Sequence, residues 1–206
     1  MPFVSIEGID GSGKSLQAEY LATALRAMDL KVLKTKEPDG GWIGVAVRSI
    51  LVAERPSPLS ALEEMLLISA ARVNHVRGVI RPALAAGDWV VSDRFLDSTF
   101  AFQVFENDVP EAVFSAVADA VIGDTMPDLT IVLDIEPSTA LGRREIRTGS
   151  LRGDPAEATR NFARIRKGLL TAAARAPSRC HVIDAARPPD EVSNCIMAII
   201  SRAGLL

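Results

Sequence analysis

Gly8-Ile9-Asp10-Gly11-Ser12-Gly13-Lys14-Ser15 fits the pattern GxxxxGKS, and it follows Phe3-Val4-Ser5-Ile6, a short apolar run that reads as a buried strand. In a phosphate-binding loop of this kind, glycines let backbone N–H groups turn inward on phosphate oxygens. Lys14 then reaches the outer phosphates and Ser15 offers its hydroxyl to magnesium. A helix from Lys14 to about Met28 points its positive end at the same anion. The strand before and the helix after separate this stretch from a glycine-rich turn that binds nothing.

The 206 residues, 48% of them apolar, suffice for one well-filled core and read as one domain over residues 1–206. No apolar run approaches the roughly 20 residues of a membrane span, and the chain enters its first strand without a basic leader. A cytoplasmic protein with no membrane partner is expected. Cys180 and Cys195 lack metal-ligand spacing and read as free thiols. A net charge of −3 speaks against a nucleic-acid surface, so any basic site is local.

Further along, Lys31 to Thr35 reads as a second strand that ends in Lys36-Glu37-Pro38-Asp39-Gly40-Gly41, turn chemistry where open parallel sheets place ligands. Ile43 to about Val52 reads as a short helix, and about Ser60 to Ala86 as a long one, opened by the capping pair Ser60 and Glu63. On that helix Glu64, Ile68, Arg72 and His75 share a stripe. An arginine there is ordinarily solvated, and His75 reads as structural. Trp89 to Ser92 is a third strand ending at Asp93-Arg94. An acid at that tip suits magnesium or the attacking oxygen, and Arg94 suits a second anion, although the two could instead form a structural bridge. Phe95 to Phe105 mixes rings with Ser98, Thr99 and Gln103, a lining for a flat, polar-edged ligand.

Leu129 to Asp134 and Cys180 to Asp184 read as strands four and five, with helices over about Glu111–Ile122, Pro155–Ala176 and Pro189–Ala203. Between them Arg143, Arg144, Arg147 and Arg152 crowd one glycine-flanked segment, about 142–154. That segment reads as a short basic lid closing over phosphates, against the plainer reading of a solvated helix end. The alternation predicts a three-layer α/β fold with a five-stranded parallel sheet. A phosphate loop, a strand-end Asp-Arg, a basic lid and a second polar-aromatic pocket describe a nucleoside-triphosphate kinase for a small anionic acceptor.

At this point the chain resembles the bacterial thymidylate kinases. IEGIDGSGKS, KEPDGG, LLISAARVNH, VVSDRFLDSTFAFQ, PDLTIVLDIEP, LGRREIRTG and VIDA occur in that family's order, nearly end to end. The resemblance implies a P-loop nucleoside monophosphate kinase, transferring phosphoryl from MgATP to dTMP and giving dTDP, in a homodimer. It implies that Gly8 to Ser15 bind the nucleotide, that Ser15 and Asp93 serve the metal, and that Asp10 meets the sugar 3′-hydroxyl. Arg94 resembles the clamp on the acceptor phosphate and Arg72 the reader of the base carbonyl. Glu37, Pro38, Ser98, Thr99, Phe102 and Gln103 match segments that line the acceptor.

Gly11 stands where some members carry a catalytic arginine, so the chain resembles the branch that supplies this charge from its lid, with Arg147 best placed and Arg143 and Arg152 supporting it. Ile68 replaces the Phe that usually stacks on thymine, Lys36 the usual arginine, Phe102 a common Tyr, and Val104 a usual Gly. A kinase for another deoxynucleotide or deoxynucleoside is the close alternative. A non-catalytic nucleotide switch is the distant one, and the chain lacks an Asn-Lys-x-Asp guanine reader.

Overall fold

Phe3–Gly8 forms β1, every residue of it buried, and lies at the centre of an all-parallel sheet in the order β2-β3-β1-β4-β5. The other strands are β2 (Val32–Lys36), β3 (Trp89–Asp93), β4 (Leu129–Asp134) and β5 (Cys180–Asp184). The computed structural model describes residues 1–54, 56–148 and 160–206, with 147 and 148 as backbone only. Strands covered on both faces need no polar alternation, which is why β1, β3 and β4 read as near-continuous apolar runs. The edge strand β2 instead exposes Lys34 and Lys36, charges that discourage pairing with another sheet.

The helices are α1 (Lys14–Arg26), α2 (Trp42–Val52), α3 (Ala61–His75), α4 (Arg81–Ala85), α5 (Leu96–Thr99), α6 (Glu111–Ile122), α7 (Pro137–Thr148), α8 (Phe162–Arg175) and α9 (Pro189–Arg202). On one side of the sheet Val4, Ile6, Val91, Ile131 and Leu133 pack with Leu21 and Leu25 of α1, Ile165 and Leu169 of α8, and Ile196 and Ile200 of α9. On the other side Phe3 and Val90 meet Val76, Ile80, Phe95, Ala118 and Ile122. Phe3 and Phe95 pack edge to face with centroids 5.0 Å apart. Each fully buried large apolar side chain contributes about 2 kcal/mol.

Ser60 caps α3 as expected: its hydroxyl accepts from the Glu63 N–H at 3.2 Å, and Glu63 accepts from the Ser60 N–H at 2.7 Å. The single helix expected over about 60–86 is instead interrupted by a π turn, Val76–Ile80, between α3 and α4. Pro82 has no N–H to give the carbonyl of Gly78, and a wider turn just before it accommodates that gap. A second π segment, Phe100–Glu106, continues α5. The first residues of the expected lid, 142–148, are the end of α7, while 149–154 lie outside the described residues.

The wall facing the phosphate loop depends on close backbone packing. A Cβ on Gly44 of α2 would lie 1.7 Å from the carbonyl oxygen of Pro38, which follows a cis peptide bond. Placing Ala within a helix ordinarily gains about 1 kcal/mol over Gly, but here the backbone must shift. Gly44→Ala should therefore lose about 1–2 kcal/mol in urea unfolding. A variant as stable as the parent would show that this contact is relaxed in solution.

Candidate active site

The parallel register sets Ile6 of β1 opposite Asp93 of β3, so the phosphate loop and the Asp93-Arg94 pair leave the sheet side by side. Gly11 adopts φ +90°, and a Cβ there would fall 2.1 Å from the carbonyl oxygen of Ala140 in α7. No side chain fits. The Lys14 ammonium, buried, donates to the Ile9 carbonyl at 2.9 Å and approaches Asp10 Oδ1 at 3.4 Å. Ser15 Oγ donates to Asp93 Oδ2 at 2.5 Å, so the two expected magnesium ligands meet.

Arg94 has φ +73°, a left-handed conformation uncommon outside glycine. Its guanidinium pairs with Asp10 Oδ1 at 2.5 Å and donates to Ser98 Oγ at 3.0 Å and the Gly8 carbonyl at 3.2 Å. Burial alone would raise the Asp10 carboxyl, but Arg94 first and Lys14 second hold it well below the usual carboxylate range. The cleft between this loop and α2 is lined by the cations Lys14, Lys36, Arg48 and Arg94 and the acids Asp10, Glu37, Asp39 and Asp93. Several already pair, Lys36 with Asp39 at 2.6 Å among them, so the cations are held in place before any anion arrives.

A second cluster abuts the first. Arg72, read as a residue type usually solvated, is 2% exposed. Its Nε and Nη2 donate to Glu37 Oε2 at 2.8 and 2.6 Å, and Nη2 also to the Phe95 carbonyl at 3.1 Å. His75, as expected, is structural: Nδ1 faces Glu37 Oε1 at 3.2 Å and Nε2 faces Thr35 Oγ1 at 2.8 Å. Burial would push the Glu37 carboxyl up, but Arg72 and His75 outweigh it and lower it. The carboxylate of Glu37 is thus spent on Arg72 and His75. Thr99 Oγ1 and Gln103 Oε1 are buried without a hydrogen-bond partner among the described residues. Ile68 is half-buried on α3, and the half-buried Phe102 ring carries the guanidiniums of Arg94 and Arg160 at 5.0 and 5.5 Å.

Arg143, expected to support a moving phosphoryl group, instead donates to the carbonyls of Ala185 and Ala186 at 2.7 and 3.1 Å, at the carboxyl end of β5. The side chain of Arg147, and all of Arg152, lie outside the described residues. Sequence reading missed three groups. Glu7 is the one charge in the buried strand FVSIEG, Arg48 is the one charge in WIGVAVRSILV, and Arg160 bridges Glu64 at 2.7 Å and Glu106 at 3.5 Å. Glu7 and Arg48 were flagged by a charge amid apolar neighbours.

Ser15 and Asp93 are hard oxygen donors in contact, and among the described residues no group of three or more His, Cys, Asp or Glu side chains converges. That sparse set fits magnesium, which keeps its waters and takes further ligands from phosphates.

A family profile described as thymidylate kinase matches residues 6–196. The chain belongs to the thymidylate kinase family. The thymidylate kinase of Methylococcus capsulatus is 42% identical over 90% of this chain and 88% of its own, and that of Caulobacter vibrioides is 40% identical over 98% of both. A crystal structure of thymidylate kinase from Ehrlichia chaffeensis superposes with a TM-score of 0.77 at 29% identity, covering 97% of this chain and 98% of that one. The sheet and phosphate loop are accordingly those of a thymidylate kinase, a P-loop NTPase fold.

Removing Glu37 strands Arg72 in the interior. Glu37→Gln should cost about 3 kcal/mol or more in urea unfolding at pH 7. Because the folded carboxyl is lowered from 4.5, its contribution is complete above that value and lost as pH falls through the lower folded one. The gap between parent and variant should therefore close in acid. A constant gap would contradict the ion pair.

Proposed function

We propose that the chain phosphorylates dTMP to dTDP at the expense of ATP. The observation that carries this reading is the 2.5 Å contact between Asp10 of the phosphate loop and Arg94 beyond β3, which seats a donor cradle and an acceptor clamp against each other. Gly8, Ile9, Gly11, Ser12 and Gly13 shape the loop around the donor phosphates, with the Ser12 N–H closing the turn on the Ile9 carbonyl at 3.1 Å, and Lys14 reaches the outer phosphate oxygens. Arg94 holds the acceptor phosphate, with Arg48 close by in the same cleft. Asp10 accepts from the sugar hydroxyl. Ser15 and Asp93 hold magnesium, which when bound neutralises charge on the phosphate oxygens.

Arg72, set by Glu37, presents its guanidinium to the base carbonyl, and Ile68, Phe102, Ser98, Thr99 and Gln103 complete the pocket beside Pro38. A guanidinium favours the O4 acceptor of thymine or uracil over the amino group of cytosine. Arg143 works on the donor side through the Ala185–Ala186 loop, while Arg147, backed by Arg152, brings charge to the transferred group. Residues 1–206 form one kinase domain with its lid at about 142–154. The free thiols of Cys180 and Cys195 accord with a reducing cytoplasm.

The chain pairs as a homodimer through adjoining α2, α3 and α6, where Val45, Ile50, Leu62, Leu66 and Val113 are exposed. Sedimentation at micromolar concentration should give twice the 22.0 kDa chain mass. A monomer throughout would remove the pairing.

A coupled ADP-release assay across dTMP, dUMP, dCMP, dGMP and thymidine should rank dTMP first, and equal rates on all would defeat the specificity. Lys14→Ala and Arg147→Ala should each lower kcat by roughly 100-fold or more, since both stabilise charge on the moving phosphoryl group. An unchanged kcat would remove that residue from the mechanism.

A further inference from the structure

Along β1, alternate side chains Phe3, Ser5 and Glu7 share one face, so this face turns from apolar to ionisable as it nears the phosphate loop. Glu7 is fully buried, and among the described residues it forms no ion pair. Such a carboxylate is costly to keep unless something requires both its oxygens. Oε1 accepts from the Phe95 N–H at 2.7 Å, and Oε2 accepts from Ser98 Oγ at 2.5 Å. Ser98 Oγ in turn accepts from Arg94 Nη1 at 3.0 Å. Glu7 therefore grips the chain at two points just after Arg94, the residue held at φ +73°, and one of those points also accepts from its guanidinium.

We propose that Glu7 is a positioning residue for the acceptor clamp, using its two oxygens to fix the Arg94 backbone and, through Ser98, the Arg94 guanidinium. This rests on the reading of Arg94 as the holder of the acceptor phosphate. The single hydroxyl hydrogen of Ser98 is committed to Glu7, which leaves the oxygen free to accept from the guanidinium. A protonated Glu7 no longer demands that hydrogen, and the relay from strand to clamp slackens. The charged and titratable groups facing Glu7 are Asp97 of α5, Arg94, Lys14 of α1, Arg179 ahead of β5 and the Cys180 thiol of β5. Burial, and after it Asp97, pushes the Glu7 carboxyl up to about 7, so this exchange falls near neutral pH.

Glu7→Gln retains one acceptor and cannot satisfy both donors. At pH 8 it should raise the KM for dTMP about tenfold while the KM for ATP moves less than twofold. As pH falls below about 6 the difference from the parent should vanish, because the parent is then protonated as well. Equal rises in both KM values, or none, would overturn the proposal. Should the variant fail to fold, the unmodified protein labelled with 13C at its glutamate carboxyls decides. By reciprocity, acceptor binding must lower the midpoint of the group titrating near 7, whereas repulsion from a bound phosphate with no positioning link would raise it. A rise or no change on adding dTMP overturns the idea. If the parent does not phosphorylate dTMP, the functional reading fails separately, and the same titration with inorganic phosphate still tests the link to Arg94.

Discussion

The parallel pairing of β1 with β3 is the constraint from which the rest of the site follows. Register, more than any single contact, brings two residues 87 positions apart in the chain to the same level of the sheet: Ile6 stands opposite Asp93, and Arg94 donates its N–H to the Ile6 carbonyl at 3.0 Å. A slip by one residue would reverse the faces of β3 and send Asp93 away from Ser15. The apolar packing on both faces of the sheet forbids that slip, since Val4, Ile6, Val90 and Val91 are all fully buried. Hydrophobic burial thus acts on the chemistry by fixing where a few polar groups must stand.

Around that frame the charges are arranged in pairs before substrate enters. Asp10 with Arg94, Glu37 with Arg72 and Lys36 with Asp39 each couple opposite signs, and the first two are at least partly buried. A buried pair gives little net stability, yet it confines long side chains to one geometry. Arg72 illustrates the gain. Its side chain would lose rotamer freedom on meeting a ligand, but Glu37 and the Phe95 carbonyl have already immobilised it. On α5, Asp97 grips Arg179 at 2.8 and 2.9 Å and so ties this helix to the start of β5.

Much of the fold was legible because its signals are local. Apolar runs mark the buried strands, glycines and Lys14-Ser15 mark the phosphate loop, and Ser60 with Glu63 marks a helix start. What remained hidden depends on partners distant in sequence. Nothing near Arg72 announces Glu37, and nothing near Arg143 announces the carbonyls of Ala185 and Ala186. Both the burial of the one and the orientation of the other are decided only when strands assemble. The π turn at Val76–Ile80 was overlooked for a different reason: apolar periodicity through Ile80 persists, and only Pro82 signals that a backbone bond is missing. Glu7 lay just past the expected strand, Phe3 to Ile6, and only the longer β1, Phe3–Gly8, shows that its carboxylate is buried.

The contact between Gly11 and Ala140 has a mechanical meaning. The phosphate loop and the first turn of α7 touch backbone to backbone with no compressible side chain between them. Displacement of one must therefore be felt by the other, as in a pair of meshed gears without play. The phosphate loop and the arginine-bearing helix are rigidly coupled, and a chain built this way trades a side chain in the loop for that coupling.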